Sequence, residues 1–175
     1  MHPFSLIMPQ QVDDASHSLL TEVLKRCVDA VRCSDCALWL ADTDHLHPIL
    51  GHGPHSSRFI GSYKHPLTEG LMSMVYASGQ PFCENNIQQN PQHSTSLDEH
   101  LEIKTDAMIV IPVVSSSEIR GVITCVHTSN NTNPNQLDQQ HNFTPADMSE
   151  LEYTAALAGR ILETSKNTQH LQSLA

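Results

Sequence analysis

The feature that most constrains this chain is the run Ala107-Met108-Ile109-Val110-Ile111-Pro112-Val113-Val114. It is the longest apolar stretch, and it is rich in β-branched residues. A run of this kind predicts a strand. Ser115-Ser116-Ser117-Glu118 then predicts a turn, and Ile119 to His127 predicts the strand that returns beside the first. Gly121 lies inside that second strand, where glycine permits a bulge or a close backbone approach.

Other elements are arranged around this hairpin. Leu19, Leu20, Val23, Leu24, Cys27, Val28 and Val31 recur at helical spacing behind the capping oxygens of Asp13, Asp14 and Ser16, which predicts a helix from about Asp14 to Arg32. Ala37 to Ala41 and Pro48 to Gly51 predict a first hairpin around the turn Asp42-Thr43-Asp44. A third strand is expected around Arg58 to His65. Leu71 to Ala77 predicts a short helix that Gly79 and Pro81 terminate. Pro81 to Asn85 predicts a strand, 86–96 a loop, and Leu97 to Ile103 one or two helical turns. Thr128 to His141 predicts a long exposed loop. Thr144 caps a last helix with Pro145 in its first turn, expected to reach about Ser173. Hairpin-linked strands with helices at both ends predict an α+β fold rather than alternating βαβ units.

The length of 175 residues suits one domain, expected over 13–173 behind a flexible arm at 1–12. Apolar residues make up 39%, enough for a sizeable core. Lys plus Arg total 9 against 19 Asp plus Glu, a formal charge of −10. So acidic a surface repels phosphate backbones and anionic bilayers, so neither nucleic acid nor membrane is expected as a partner. A membrane-spanning helix needs about 20 apolar residues, and no run approaches that. Met1 to Gln10 lacks the basic-then-apolar pattern of a signal peptide. Five cysteines without an export signal predict free, core-packed thiols in a cytoplasmic protein.

Four phrases resemble the GAF domain family of small-molecule sensing and regulatory domains. They are Leu67-Thr68-Glu69-Gly70-Leu71-Met72 with Val75 to Pro81, Thr105 to Val113, Glu118 to Ile123, and Phe143-Thr144-Pro145-Ala146-Asp147 with Leu151. The resemblance spans roughly Ser18 to Leu162. It implies the PAS/GAF superfold: a central antiparallel sheet of about six strands, with the terminal helices packed on one face. Loops and short helices would close a pocket on the other face.

On that resemblance the pocket wall is expected to include Trp39, Met72, Tyr76, Cys83, Asn85, Asp106, Met108, Cys125 and His127. Met74 is a further apolar candidate, and Glu84 and Thr124 are further polar ones. The alternative is that these side chains simply fill the core. The seam Met148, Leu151, Ala155, Ala158 and Leu162 on the last helix must meet the first helix, and is also expected to serve a homodimer.

Cys33 and Cys36 form a CxxC pair with no second pair to complete a zinc site, so thiols at a helix end are the simpler reading. His45, His47, His52 and His55 read as a solvated loop rather than a metal site. Members of the family that reduce free methionine sulfoxide carry cysteines near the short helix and ahead of the long strand. Here Leu71 and Met72 stand in the first region, and Asp98 to Asp106 has no cysteine. Cyclic-nucleotide and bilin signatures are not matched either. The resemblance allows haem through a single His, with His93, His100 or His127 as candidates, but a lone His is more often a surface or core residue, so no known cofactor is expected. The sequence reading is a sensory or regulatory domain in signal transduction. It would bind an unidentified small molecule, pair as a homodimer and act on a signalling partner protein. The alternatives are a ligand-free docking module and, last, a sulfoxide reductase.

Overall fold

A computed structural model of the chain describes residues 12–129 and 142–173, with side chains as far as Ser165. The expected arm at 1–12 lies outside these residues except for Val12. The expected loop Thr128–His141 does so from residue 130 onward. The elements are α1 (Asp14–Val31), β1 (Asp35–Ala41), β2 (His45–His52), α2 (Ser56–Phe59), β3 (His65–Pro66), α3 (Gly70–Ser78), β4 (Phe82–Glu84), α4 (Ser96–Leu101), β5 (Lys104–Ser115), β6 (Glu118–Ser129) and α5 (Pro145–Ser173), with a 3-10 turn at Ile87–Gln89. The strands form one antiparallel sheet in the order β3-β2-β1-β6-β5-β4.

The β5–β6 hairpin lies at the centre of this order, and both of its faces are covered. Ala107, Ile109, Ile111 and Val113 point to one core, and Met108 and Val110 to the other. That double burial is why the stretch reads as continuously apolar rather than alternating. Its turn is the tightest available. Ser115 pairs with Glu118, and Ser116 and Ser117 both take positive φ, 53° and 66°. This is the primed turn that matches strand twist, made with residues that dislike the left-handed region.

One expected element is corrected. Arg58 to His65 is not a strand but the single turn α2 followed by the two-residue β3. The turn carries Phe59 over the sheet, where its ring stacks on Trp39 at 5.6 Å and 6°. Burial of two aromatic rings outweighs the modest strand propensity of the segment.

α1 and α5 cover one face and run antiparallel. Asp13 caps α1 by accepting from the Ser16 amide at 2.8 Å. It also bonds Ser165 of α5 twice: its amide donates to Oγ at 3.0 Å, and its carboxylate accepts from the same hydroxyl at 2.8 Å. At the far end, α5 begins with a reciprocal cap in which the Thr144 amide and hydroxyl both donate to Asp147 Oδ2 at 2.7 Å. Leu151, Ala155, Ala158 and Leu162 are buried against the chain's own core, and Met148 packs at its edge. This seam, expected to serve a dimer as well, is therefore taken up inside the chain and offers little to a second copy.

Two glycines set the layer spacing. A Cβ on Gly121 would lie 1.8 Å from the carbonyl oxygen of Trp39, and one on Gly159 would lie 2.0 Å from that of Val114. Both contacts are with backbone, which cannot swing aside. Gly121→Ala and Gly159→Ala are each expected to cost about 3 kcal/mol or more by forcing packed backbone apart. In contrast, Ser117→Gly should gain up to about 1 kcal/mol by removing left-handed strain. Urea melts of the three variants check both signs.

Candidate functional site

The face of the sheet opposite α1 and α5 is not filled solid. Trp39 of β1, Met108 of β5 and Thr124 of β6 floor a chamber, and Phe59, Met72 and Leu97 are among its walls. It leaves about 60 Å³ for the centres of water-sized molecules. A first water needs about 10–15 Å³ on that measure, so there is room for several waters or one compact organic molecule.

Alternation along β1 builds the floor. Cys36, Leu38 and Leu40 face the helices, so Ala37 and Trp39 face the chamber. The Trp39 indole N–H donates to Thr124 Oγ1 at 3.0 Å, which satisfies the one polar atom of a residue only 1% exposed. Tyr63 meets the same indole edge-on at 6.3 Å.

Polar groups converge on this apolar floor from separate loops. Asp35, at the start of β1, accepts from the backbone amide of His55 at 3.0 Å and from its ring Nδ1 at 2.7 Å. The bond fixes the imidazole and leaves its Nε2 for other partners. The loop passes over Asp35 so closely that a Cβ on Gly53 would sit 2.3 Å from Oδ1. Gly53 also has φ +139°, so it meets both a steric and a conformational demand for glycine.

A second acid–imidazole pair lies across the chamber. Asp98 of α4 accepts from the Thr105 amide at 2.8 Å and from the Thr105 hydroxyl at 2.6 Å. His93 Nε2 stands 3.5 Å from Oδ2, the oxygen that accepts from the Thr105 amide, and although buried it makes no hydrogen bond. Burial pushes the Asp98 carboxyl upward, but the His93 imidazole and the two Thr105 bonds outweigh it, and the group titrates below its usual range. His65, also in the wall, is likewise lowered relative to an exposed imidazole. Burial lowers it, and its Nε2 bond to the Glu69 carbonyl at 2.9 Å compensates only in part.

Of the expected pocket residues, the structure brings Trp39, Met72 and Met108 together, along with Thr124. The others lie elsewhere. Tyr76 packs at the edge of the same core without lining the chamber, and Met74 is partly exposed on α3. Cys83 pairs with Ile109 and shares its helix-side face. Asn85 grips the backbone of Phe143, donating to its carbonyl at 3.0 Å and accepting from its amide at 2.7 Å. Asp106 sits at the β5 bulge. Cys125 is the register partner of Cys36 and faces α1, and His127 stacks on Phe143 at 4.2 Å. Glu84 accepts from Asn90 at 2.6 Å beside the chamber.

The GAF domain family model matches residues 14–163. The chain belongs to the GAF domain family. Solved GAF-fold structures agree with it in architecture. The GAF domain of a phosphoenolpyruvate-protein phosphotransferase from Coxiella burnetii superposes with a TM-score of 0.74 at 16% identity, over 89% of this chain and 86% of that one. The free methionine-R-sulfoxide reductase of Neisseria meningitidis gives 0.66 at 19% identity, over 87% and 81%. The PixJ GAF domain of Thermosynechococcus elongatus gives 0.69 at 10% identity, over 95% of each chain. At these identities the likeness is one of fold. Among curated proteins, none matches the sequence.

In this GAF domain the polar side of the chamber comes from residues that sequence reasoning did not group: Asp35, His55, His65, His93, Asp98 and Thr105. Strand ends, α4 and two separate loops bring them together, and no shared spacing announces it.

The Asp98 cluster has a measurable signature. In Asp98→Asn one Thr105 donor loses its acceptor, with an expected cost of about 1–3 kcal/mol. The lowered carboxyl stabilises the wild type above its ordinary pKa of about 4, and that share is lost as pH falls through the lowered value. Denaturant melts from about pH 6 to about pH 3 should therefore show a steeper loss in the wild type than in the variant.

Proposed function

We propose that this GAF domain is a sensory or regulatory domain of signal transduction that binds a compact small molecule in the chamber. The observation that carries the reading is His93, a buried imidazole in the chamber wall whose Nε2 meets only the Asp98 carboxylate, at 3.5 Å and short of a hydrogen bond. A buried polar atom left in this state costs free energy that a ligand acceptor would recover. The chemistry suits a molecule with an apolar body lying on Trp39 and Met108 and a carbonyl or carboxylate toward His93. Family membership supports a regulatory role, and the Neisseria relative of the same fold is described in complex with its substrate.

Occupancy would act by biasing an equilibrium of the domain, with α1 and α5 on the opposite face as the output. The partner would be another protein. Five free cysteines support a reducing compartment such as the cytoplasm, and among the described residues no helix is long and apolar enough to cross a membrane. The reading includes no catalytic step. Cys36 is the only thiol lining the chamber; it is 1% exposed and packs with the helix-side core.

The small volume of the chamber favours one second reading, a docking module whose side chains collapse inward without a ligand. Native mass spectrometry of the freshly purified chain separates the two. A defined extra mass that leaves on denaturation is expected, and its loss from His93→Ala with folding intact would assign it to the chamber. The single tryptophan lines the cavity, so restoring the captured compound should shift its fluorescence, with affinity about 10–100-fold weaker in His93→Ala. A bare protein whose tryptophan responds to no small-molecule extract would favour the docking module.

A further inference from the structure

Four of the five cysteines share the helix-side core, and three of them converge on one point. Cys27 comes from α1, Cys33 from the turn that follows it, Cys36 from β1 and Cys125 from β6. The sulfurs of Cys27, Cys36 and Cys125 all lie within 4.8 Å of one another, and the Cys27–Cys125 separation is 3.9 Å. Cys36 and Cys125 are register partners on adjacent strands, so their side chains leave the sheet together. Cys33 is also buried in this core, outside the group of three.

We propose that this cluster binds one soft closed-shell cation, Zn²⁺ or Cu⁺, through the thiolates of Cys27, Cys36 and Cys125, with Cys33 as a fourth ligand. A zinc–sulfur bond of about 2.3 Å places sulfurs roughly 3.8 Å apart around a tetrahedral ion and about 4.0 Å apart in a trigonal plane. The Cys27–Cys125 pair already has that spacing, and the other two pairs lie within an ångström of it. The donor set also selects the ion. Among the described residues no carboxylate or imidazole joins the group, so magnesium and calcium would find none of their oxygen ligands.

A core thiol is normally a small hydrophobe that needs no special account. Three sulfurs from three elements are different, because their S–H groups compete for one another. Loading would exchange thiol protons for the cation: metal–sulfur bonds form, the protons leave to solvent, and nothing changes oxidation state. The site is enclosed by α1 and the sheet, so loading belongs to folding or to an opening of α1. Its sulfurs pack in the helix-side core, and of its cysteines Cys36 alone also borders the chamber, so His93→Ala leaves the cluster intact and the two readings are tested separately.

The full chain should be unfolded and refolded without oxygen in the presence of Zn²⁺, of Cu⁺, or of Co²⁺ as a spectroscopic substitute. After desalting, one ion per chain is expected, with intense thiolate-to-cobalt absorption and a raised melting temperature. The zinc and copper arms, competed against each other, identify the preferred ion. Cys27→Ser and Cys125→Ser should each weaken retention by more than about 100-fold, exceeding the usual effect of an outer-shell change, while Cys83→Ser leaves it intact. Should the cluster variants fail to fold, the wild-type cobalt spectrum decides alone, because histidine-bound cobalt lacks the thiolate band. Three results would overturn the proposal: negligible metal with no such band, equal retention by Cys27→Ser and Cys125→Ser, or a Cys27–Cys125 disulfide in the native protein.

Discussion

Two missing Cβ atoms set the distances on which the rest of this domain depends. At Gly121 the β6 backbone approaches the carbonyl of Trp39, and at Gly159 the α5 backbone approaches that of Val114. The first contact draws β1 against the central hairpin and leaves Trp39 facing the chamber. The second seats the long terminal helix on β5. Side chains elsewhere can trade volume with their neighbours, but backbone against backbone has no such freedom. The chamber on one face and the thiol cluster on the other therefore share a framework whose spacing two residues impose.

Much of that framework could be read from the sequence, because its signals are local. The apolar run at Ala107–Val114, the serine turn, the capping Thr144 and the seam through Leu151 and Ala158 each declare their own element. Residues 14–163 match the family that the same phrases suggest. The segment Arg58–His65 misled because its outcome was tertiary. Phe59 folds over onto Trp39, a residue 20 positions away, and no local pattern reports that preference.

The site was harder to read, and the reason is parity. Trp39 pairs with Val122, so Thr124 shares its face and Cys125 does not. Placing Trp39 and Cys125 in one pocket is an error of one residue, and in a strand one residue means the opposite face. The Asp35–His55 pair was hidden by sequence distance, whereas His93 and Asp98 are close in sequence and meet only because the loop before α4 folds back. The cysteines illustrate the same limit. Cys33 and Cys36 look like a pair without partners until Cys125, 98 positions from Cys27, is brought beside them by the sheet.

The double bond between Asp13 and Ser165 has a mechanical consequence. It ties the first residue before α1 to a point on α5 that still has two turns to run, since α5 continues to Ser173. At that pole the two helices are fastened to each other rather than only pressed against the sheet. A torque on the outer turns of α5 would reach this clasp before it reached any strand. The clasp thus couples the two helices at this pole, so that a displacement of α5 would be shared with α1 as well as with the sheet.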